Sequence, residues 1–279
     1  MTARLARPDI TVITPNRNGA RFLEKCVQSV IDQRRDGVRL EYLVLDAGST
    51  DDSLKLLECY ADDVDSLVSE PDDGPADAIN KGLRRATGEI VAWLNADDAY
   101  YPGALRRVLD AFAGRPDKAL GFGRCVIVDE ADAEIRRGIT RFKECFFPIS
   151  SYFTIQSINY ISQPAMFFRR SAMEQAGLLR EDLKAAWDYD FILRLWREGG
   201  GFHIPGPALS AFRWHAGSIS GQHFRQQFRE EYEVAVADAG RWSPQALLHW
   251  CVRWGIVGSY TLMTRFRGGH RAHPRTDSL

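Results

Sequence analysis

The sequence up to Leu94 alternates between short apolar runs and amphipathic segments. Between the runs, apolar residues such as Phe22, Cys26 and Val30 recur at three- and four-residue spacing, which predicts helices. Strands and helices in alternation predict an α/β fold, with a mostly parallel sheet and helices on both of its faces. The predicted strands are Ile10 to Thr14, Tyr42 to Leu45, Val64 to Val68 and Ile90 to Leu94.

Polar residues follow three of these strands. Pro15 ends the first run, because a proline cannot donate to the ladder of a central strand, and Asn16 begins a turn. Asp46 follows the second strand, and Asn95 to Asp98 follow the fourth. The carboxyl ends of parallel strands share one edge of a sheet, where ligands bind in open α/β folds. We therefore expect these side chains to lie together in a binding site.

The second half of the chain is less regular. An apolar stretch runs from Leu120 to Val128, a strand is expected from Ala165 to Phe168, and Phe191 begins a helical apolar pattern. The aromatic region from Phe146 to Tyr160 is typical of a loop. We find no internal repeat, and predict one domain in two halves, residues 1–100 and 101–220, with a helical, basic C-terminal extension at 221–279.

The charge balance argues against a nucleic-acid-binding protein. Thirty-six basic and 37 acidic residues leave a formal net charge of −1, although six Arg and one Asp make the chain basic from Arg241 onward. Five widely spaced cysteines form neither a zinc pattern nor a disulfide framework. The N-terminus lacks the apolar run of a signal peptide. We therefore predict a cytoplasmic location for the catalytic part.

Five segments of the sequence together carry a family resemblance. They are TPNRNG at 14–19, VLDAGSTDDS at 44–53, DAINKG at 77–82, ATGEIVAWLNADD at 86–98 and WDYDFILRL at 187–195. In this order they resemble the family 2 glycosyltransferases of bacterial surface-polysaccharide synthesis. The resemblance implies a GT-A, Rossmann-like fold and an inverting hexosyltransferase. The implied donor is a nucleotide-diphosphate sugar, with a UDP-sugar favoured, and the implied acceptor is a hydroxyl of a glycan or polyprenyl-linked glycan.

The resemblance also implies a nucleotide-sugar-binding first half. It places Asp46 where the nucleotide base is read, and the alternative is a turn residue that bonds its own backbone. Asp77 and Lys81 lie four residues apart on one helical face, so an exposed ion pair competes with a position near the nucleotide. The other implied donor-binding residues are Thr14, Pro15, Asn16, Asn95, Ala96 and Asp97.

A metal site is expected after the fourth strand, because carboxylates there offer hard oxygen ligands to Mg²⁺ or Mn²⁺. Asp97 and Asp98 are the implied anchors of a cation that stabilises the diphosphate leaving group. Asn95 stands where the family often has Asp, which removes one charge. His215, in FRWHAGSISG, matches a histidine that completes the metal site in some members, and a packed or solvated histidine is the alternative.

The second half is expected to bind the acceptor and supply the catalytic base. Inversion requires a base that takes the proton of the acceptor hydroxyl, and the resemblance places Asp188 in that role. The alternative is that the dipole of the helix draws Asp188 and Asp190 to its N-terminus. The implied acceptor-binding residues are Gln163, Trp187 and Asp190, with Gly123 and Arg124 lining the same cleft.

The segment from Ala246 to Thr264 is mostly apolar but is interrupted by His249 and Arg253. This composition favours an aromatic, basic helix lying on a membrane surface over a membrane-spanning helix. The enzyme would then be peripheral at the inner face of the plasma membrane, and a chain truncated before Ala246 would remain soluble and folded. A helix packed on the catalytic core is the alternative.

Two other functions fit parts of the pattern. A sugar nucleotidyltransferase shares the fold, but normally carries a glycine-rich basic loop where this chain has Pro15 to Asn18. A catalytically silent nucleotide-sugar-binding module would not require the acids at positions 46, 97, 98 and 188. Intact acids at these four positions favour the enzyme.

Overall fold

A computed structural model of the protein describes residues 7–215, 217 and 224–255. Its first part alternates strands and helices, and each predicted strand overlaps an observed one. The elements are β1 (Ile10–Asn16), α1 (Ala20–Ile31), β2 (Leu40–Asp46), α2 (Ser53–Glu58), β3 (Ser66–Ser69), α3 (Pro75–Arg85) and β4 (Ile90–Trp93).

The following part of the chain contributes to two sheets and then becomes helical. Its elements are β5 (Ala99–Tyr100), α4 (Ala104–Ala113), β6 (Leu120–Phe122), β7 (Cys125–Val128), α5 (Arg137–Glu144), α6 (Tyr152–Ser157), β8 (Met166–Arg169), α7 (Arg170–Ala176), α8 (Trp187–Gly199), β9 (Gly201–His203), β10 (Ser210–Arg213) and α9 (Phe224–Ala239). Residues 244–255 form a further helical segment, here called the C-terminal helix.

Within the described residues, the main sheet has the strand order β3-β2-β1-β4-β8-β6-β9. Strands β3, β2, β1 and β4 are parallel, β8 is antiparallel to both of its neighbours, and β9 is parallel to β6. A smaller sheet has the order β5-β10-β7. The predicted mostly parallel α/β fold is confirmed, and strands from before and after residue 100 share the main sheet.

Both faces of the main sheet are covered by helices. Ile13 belongs to a core that includes residues of α3 and α8, whereas the adjacent Val12 belongs to a core that includes residues of α1 and α4. Successive residues of a strand point to opposite faces, so a strand covered on both faces is apolar at consecutive positions. The uninterrupted apolar runs of the sequence follow from this arrangement.

Strand β1 continues through Pro15, where the sequence predicted that it would end. The carbonyl of Ile13 accepts a hydrogen bond from the Leu94 amide at 2.8 Å, and β4 pairs with β1 only as far as Ile13. Pro15 lies two residues further, so its nitrogen faces the same side, beyond the end of β4. No ladder hydrogen bond is lost there, and pairing with β2 continues to Asn16.

One prediction for the second half was wrong. The aromatic region expected to be a loop contains α6, which begins after Ser151, whose hydroxyl accepts from the Thr154 amide at 3.1 Å as an N-cap. The apolar stretch from Leu120 to Val128 is two strands, because the chain leaves the main sheet after β6 and joins the smaller sheet at β7.

The C-terminal helix has a buried side and an exposed side. Ala246 and His249 are buried, whereas Leu247, Trp250 and Trp254 are exposed. Among the described residues, no helix has the length and apolar character needed to cross a membrane. The remainder of the predicted surface helix, residues 256–264, lies outside the described part of the chain.

Candidate functional site

The carboxyl ends of β1, β2 and β3 converge on Asp46. Its carboxylate accepts hydrogen bonds from Asn16 Nδ2 at 2.7 Å and from Ser69 Oγ at 2.8 Å. It also accepts from the amide of Ser49 at 2.9 Å and from the hydroxyl of Ser49 at 2.5 Å. Three strand ends therefore fix one buried acidic group at the edge of the sheet, as the strand order requires.

Asp46 is held ionised by these contacts. Burial alone would raise the pKa of its carboxyl, but the hydrogen bonds from Ser49, Ser69 and Asn16 outweigh burial and lower the pKa below its usual value. Asp46 is 2% exposed and each of its oxygens already accepts two hydrogen bonds, so an N–H group of a nucleotide base has to replace one of these contacts to reach the carboxylate. Neither serine was selected from the sequence, because serines after a strand are common turn residues.

The turn after β4 carries two acids in different environments. Asp98 is 2% exposed, and its carboxylate accepts from the Arg213 amide at 2.9 Å. Burial raises the pKa of Asp98 well above its usual value, and the negative charge of Asp97 raises it further. Asp98 therefore attaches the turn to β10, whereas Asp97 is partly exposed.

Asp97 meets His215, which lies just beyond β10. Asp97 Oδ2 and His215 Nε2 are 3.0 Å apart, and both side chains are partly exposed. Arg213 holds the turn that carries Asp97. Its Nε donates to the Asp97 carbonyl at 2.9 Å, and one terminal nitrogen donates to the Asp129 carbonyl at 2.7 Å. The structure thus brings together two of the three predicted metal ligands.

The donor atoms of this pair fit a divalent cation. The carboxylate of Asp97 is the type of ligand that Mg²⁺ and Mn²⁺ prefer, His215 would add one imidazole nitrogen, and the phosphate oxygens of a ligand would supply further ligands. No group of three or more His, Cys, Asp or Glu side chains arranged to hold a metal occurs in the described residues. His215 Nδ1 accepts from the Gly217 amide at 3.2 Å, so cation binding through Nε2 requires that contact to change.

Asp188 is the second residue of α8. Its Oδ1 accepts from the Tyr189 amide at 2.7 Å. Burial raises the pKa of Asp188 to about 6, although the Tyr189 amide and the nearby Lys143 cation oppose the shift. A carboxylate with a pKa near 6 accepts a proton more readily than an ordinary aspartate and is still ionised at neutral pH.

Lys143 and Gln163 lie between the surroundings of Asp188 and the turn that carries Asp97. Lys143, whose charge acts on Asp188, donates to Ser162 Oγ at 3.2 Å. The next residue, Gln163, accepts from Asn95 Nδ2 at 3.3 Å and donates to the Trp93 carbonyl at 2.7 Å. The predicted acceptor residue Gln163 therefore braces the turn that carries Asp97.

Two predicted acceptor residues have structural contacts. Trp187 is 7% exposed, and its ring centroid lies 5.9 Å from that of Trp93 inside the core, so its face is not offered to a ligand. Its apolar neighbours on α3, β4 and α8 explain this burial. Asp190 forms an ion pair with Arg194 at 2.8 Å, and Arg194 also donates to the Leu178 carbonyl at 2.8 Å.

Most of the remaining predicted residues also have contacts within the protein. Asp77 and Lys81 form the ion pair that the sequence left open, with 3.2 Å between Nζ and Oδ2, and Lys81 also donates to the Pro71 carbonyl at 2.8 Å. Thr14 is fully buried and accepts from Tyr42 Oη at 3.0 Å. Pro15 and Ala96 are half-buried at the sheet edge, and Arg124 pairs with Glu144 at 2.8 Å.

Comparison with known proteins identifies the family. The model of the family described as "Glycosyl transferase family 2" matches residues 11–177. An uncharacterized glycosyltransferase of Mycobacterium tuberculosis is 31% identical over 192 residues, which are 67% of this chain and 68% of that protein. The O-antigen biosynthesis protein RfbC of Myxococcus xanthus is 31% identical over 78% of this chain and only 17% of its own length.

Solved structures of similar fold carry nucleotide sugars. The mannosyltransferase PcManGT of Pyrobaculum calidifontis, solved with GDP-Man and Mn²⁺, has a TM-score of 0.63 and 20% identity, covering 97% of this chain and 82% of that one. S. aureus TarS 1-349 in complex with UDP-GlcNAc has a TM-score of 0.64 and 18% identity, covering 86% and 69%. At these identities the likeness shows the GT-A fold.

Proposed function

Because this chain belongs to glycosyltransferase family 2, we propose that it transfers a sugar, with inversion, from a nucleotide-diphosphate sugar to a glycan hydroxyl. The observation that carries this proposal is the edge of the main sheet, where the carboxylate of Asp46 ends β2 and the Asp97–His215 pair lies beyond β4, with β1 between these two strands. We assign Asp46 to the side of the nucleotide base and the Asp97–His215 pair to a metal-bound diphosphate. A UDP-sugar is the favoured donor.

The diphosphate would be held by Mg²⁺ or Mn²⁺ at the Asp97–His215 pair. The cation supplies Lewis-acid stabilisation of the charge that develops on the leaving diphosphate. Asp98 supports this site indirectly, since its contact with the Arg213 amide holds β10 against the turn. The side chain of Arg213 also orients the turn, through its hydrogen bond to the Asp97 carbonyl.

Asp188 would act as the base. The acceptor hydroxyl gives its proton to the Asp188 carboxylate while its oxygen forms the new bond to the anomeric carbon, and the bond from that carbon to the diphosphate breaks. The raised pKa of Asp188, about 6, supports this assignment because the carboxylate is both ionised and basic at neutral pH.

The acceptor is proposed to be a glycan carried on a polyprenyl lipid. The C-terminal helix supports this proposal, because Leu247, Trp250 and Trp254 are 53%, 48% and 53% exposed. The guanidinium of Arg253 lies 5.6 Å from the Trp254 ring centroid. Exposed aromatics beside a cation are suited to the interface of an anionic membrane, and a cytoplasmic location remains a prediction.

A screen of UDP-, GDP- and dTDP-sugars tests the proposed reaction. We expect one class to bind with Mn²⁺ or Mg²⁺ and to be hydrolysed slowly, and we expect Asp97→Ala to abolish metal-stimulated binding and turnover because the diphosphate loses its cation. The exposed Asp62 provides a matched control, Asp62→Ala.

Three results would decide against the proposal. Turnover that persists in excess EDTA would exclude the metal role. Donor binding without hydrolysis or transfer would favour a silent binding module. Release of pyrophosphate from a nucleoside triphosphate and a sugar phosphate would favour a nucleotidyltransferase.

A further inference from the structure

Helix α8, which carries Asp188, begins without a capping side chain of its own. Its N-cap residue is Ala186, which forms no side-chain cap hydrogen bond. Alanine is among the poorest N-cap residues, and the first amides of a helix have no partner within the helix. The position of the first turn of α8 is therefore not fixed by a capping side chain at Ala186.

Glu230 of α9 holds the segment that leads into α8. Its Oε2 accepts three backbone hydrogen bonds, from the amides of Lys184 at 3.0 Å, Ala185 at 2.8 Å and Ala186 at 3.2 Å. Its other oxygen, Oε1, accepts from Gln226 Nε2 at 2.8 Å. A single carboxylate thus holds three consecutive residues that end two positions before Asp188.

Glu230 binds these amides as an anion. The side chain is buried, and burial alone would raise its pKa, but hydrogen bonds from Gln226, Ala185, Ala186 and Lys184 outweigh burial and lower the pKa. Charged acceptors bind backbone amides more strongly than neutral ones do, and negative charge is favoured at a helix N-terminus.

The neighbouring residue of α9 also belongs to the surroundings of Asp188. Glu231 is 4% exposed, and its Oε1 accepts from Asn159 Nδ2 at 3.2 Å. Burial and the charge of Asp188 raise the pKa of Glu231 to about 7, while Lys143 opposes the shift. Helix α9 therefore lines the region of the base with two successive carboxyl groups.

We propose that Glu230 is a positioning residue for Asp188: its carboxylate fixes the segment 184–186 and thereby the direction in which the base faces the acceptor. This inference rests on the proposed role of Asp188. A displacement of about 1 Å in a reacting group can reduce a rate by roughly 10²-fold, so a residue that acts through backbone amides can control turnover.

The variant Glu230→Gln tests the proposal, because glutamine keeps the shape of the side chain and removes its charge. We expect kcat for transfer to fall by roughly 10- to 100-fold while the KM for the donor stays within about twofold. The acid limb of the kcat profile should move to lower pH, because a loosened segment hydrates Asp188. Glu233→Gln is the matched control, since Glu233 lies exposed on the same helix with Arg229 at 3.7 Å.

A double variant separates positioning from general stability. If Glu230 acts through Asp188, then Glu230→Gln should cause no further loss of kcat in an Asp188→Asn background. An equal loss in both backgrounds, or an unchanged kcat and pH profile in Glu230→Gln, overturns the proposal. If Glu230→Gln fails to fold, Glu230→Asp keeps the charge on a shorter side chain and should show the same selective loss of kcat.

The same experiment distinguishes the two proposals. Full activity in Asp188→Asn would contradict the proposed function, because the base would have been assigned wrongly. Loss of activity in Asp188→Asn with full activity in Glu230→Gln and Glu230→Asp would leave the proposed function intact and overturn the positioning role.

Discussion

Burial raises and hydrogen bonds lower the pKa of both Asp46 and Asp188, but the balance between the two effects differs. Asp46 accepts from an amide, two hydroxyls and a side-chain amide, which together outweigh burial and lower its pKa. For Asp188, burial outweighs the opposing contacts and the pKa rises to about 6. These opposite shifts fit the roles proposed for Asp46 in donor binding and for Asp188 as the base.

Asp188→Asn should lower kcat by roughly 10²–10⁴ with little change in donor affinity, because the proton acceptor is lost while the donor contacts remain. In the unaltered enzyme, kcat should rise with pH through about 6, since Asp188 must be ionised to accept a proton. Steady-state kinetics between pH 5 and 8 and donor titration would measure both effects.

The control is Asp182→Asn, because Asp182 is exposed and pairs with Arg180 at 2.5 Å. An equal loss of donor binding in Asp188→Asn would make Asp188 a binding residue. A kcat that does not depend on pH between 5 and 7 would also contradict its role as the base.

At the scale of single elements, the C-terminal helix packs one side on the core, which is one of the two alternatives left open by the sequence, while membrane binding by its other side stays a prediction. His249 packs against the core, with Nδ1 3.2 Å from the Gln156 carbonyl, and burial lowers its pKa to about 4. Removing the chain from Ala246 onward would uncover this contact, so we now expect that truncation to destabilise the fold. Its opposite side carries Trp250 and Trp254, whose ring centroids lie 6.3 Å apart in an edge-to-face arrangement.

Point substitutions on the exposed side therefore test membrane binding better than a deletion. Trp250→Ser with Trp254→Ser should reduce binding to vesicles that contain anionic lipid, because the interface loses two aromatic rings, while the melting temperature stays unchanged. High salt should weaken binding of the unaltered protein without abolishing it, since only the electrostatic part is screened.

Cys251→Ser is the matched control, because Cys251 is exposed on the same helix. Vesicle sedimentation would measure the binding. Two results would contradict membrane binding by the exposed side of the C-terminal helix. One is equal sedimentation of the double tryptophan variant and the unaltered protein, and the other is no sedimentation of either protein at low salt.

At the scale of the whole molecule, the surroundings of Asp188 contain buried acids that oppose folding when they ionise. Glu231, with a pKa of about 7 against a usual value near 4.5, binds a proton more tightly in the folded chain than in the unfolded chain. The free energy of unfolding should therefore decrease as pH rises from about 5 to 8, by about 3 kcal/mol from this residue.

Glu231→Gln should flatten this dependence, because glutamine does not titrate. Urea unfolding at several pH values would measure the free energy of unfolding, with the exposed Glu233→Gln as the control. Parallel curves for Glu231→Gln and the unaltered protein would show that Glu231 does not titrate between these pH values.

The sequence by itself determined the alternation of strands and helices and the acids at the ends of β2 and β4. These features are local: apolar periodicity selects the element, and a polar residue after a parallel strand must lie at one edge of the sheet. The resemblance of five segments to one family determined the type of reaction, which the family comparison confirms as glycosyl transfer.

Only the tertiary structure decided which polar residues share a site. Glu230 binds the segment before α8 across 44 residues of chain, a contact that leaves no periodic or local signal. His215 meets Asp97 across 118 residues, and only the family resemblance had placed these two side chains in one site. The burial of Trp187 also could not be predicted from the sequence, because it depends on elements that are distant in the chain. Long-range contacts are selected by how the covered sheet packs its helices, which is a property of the folded chain as a whole.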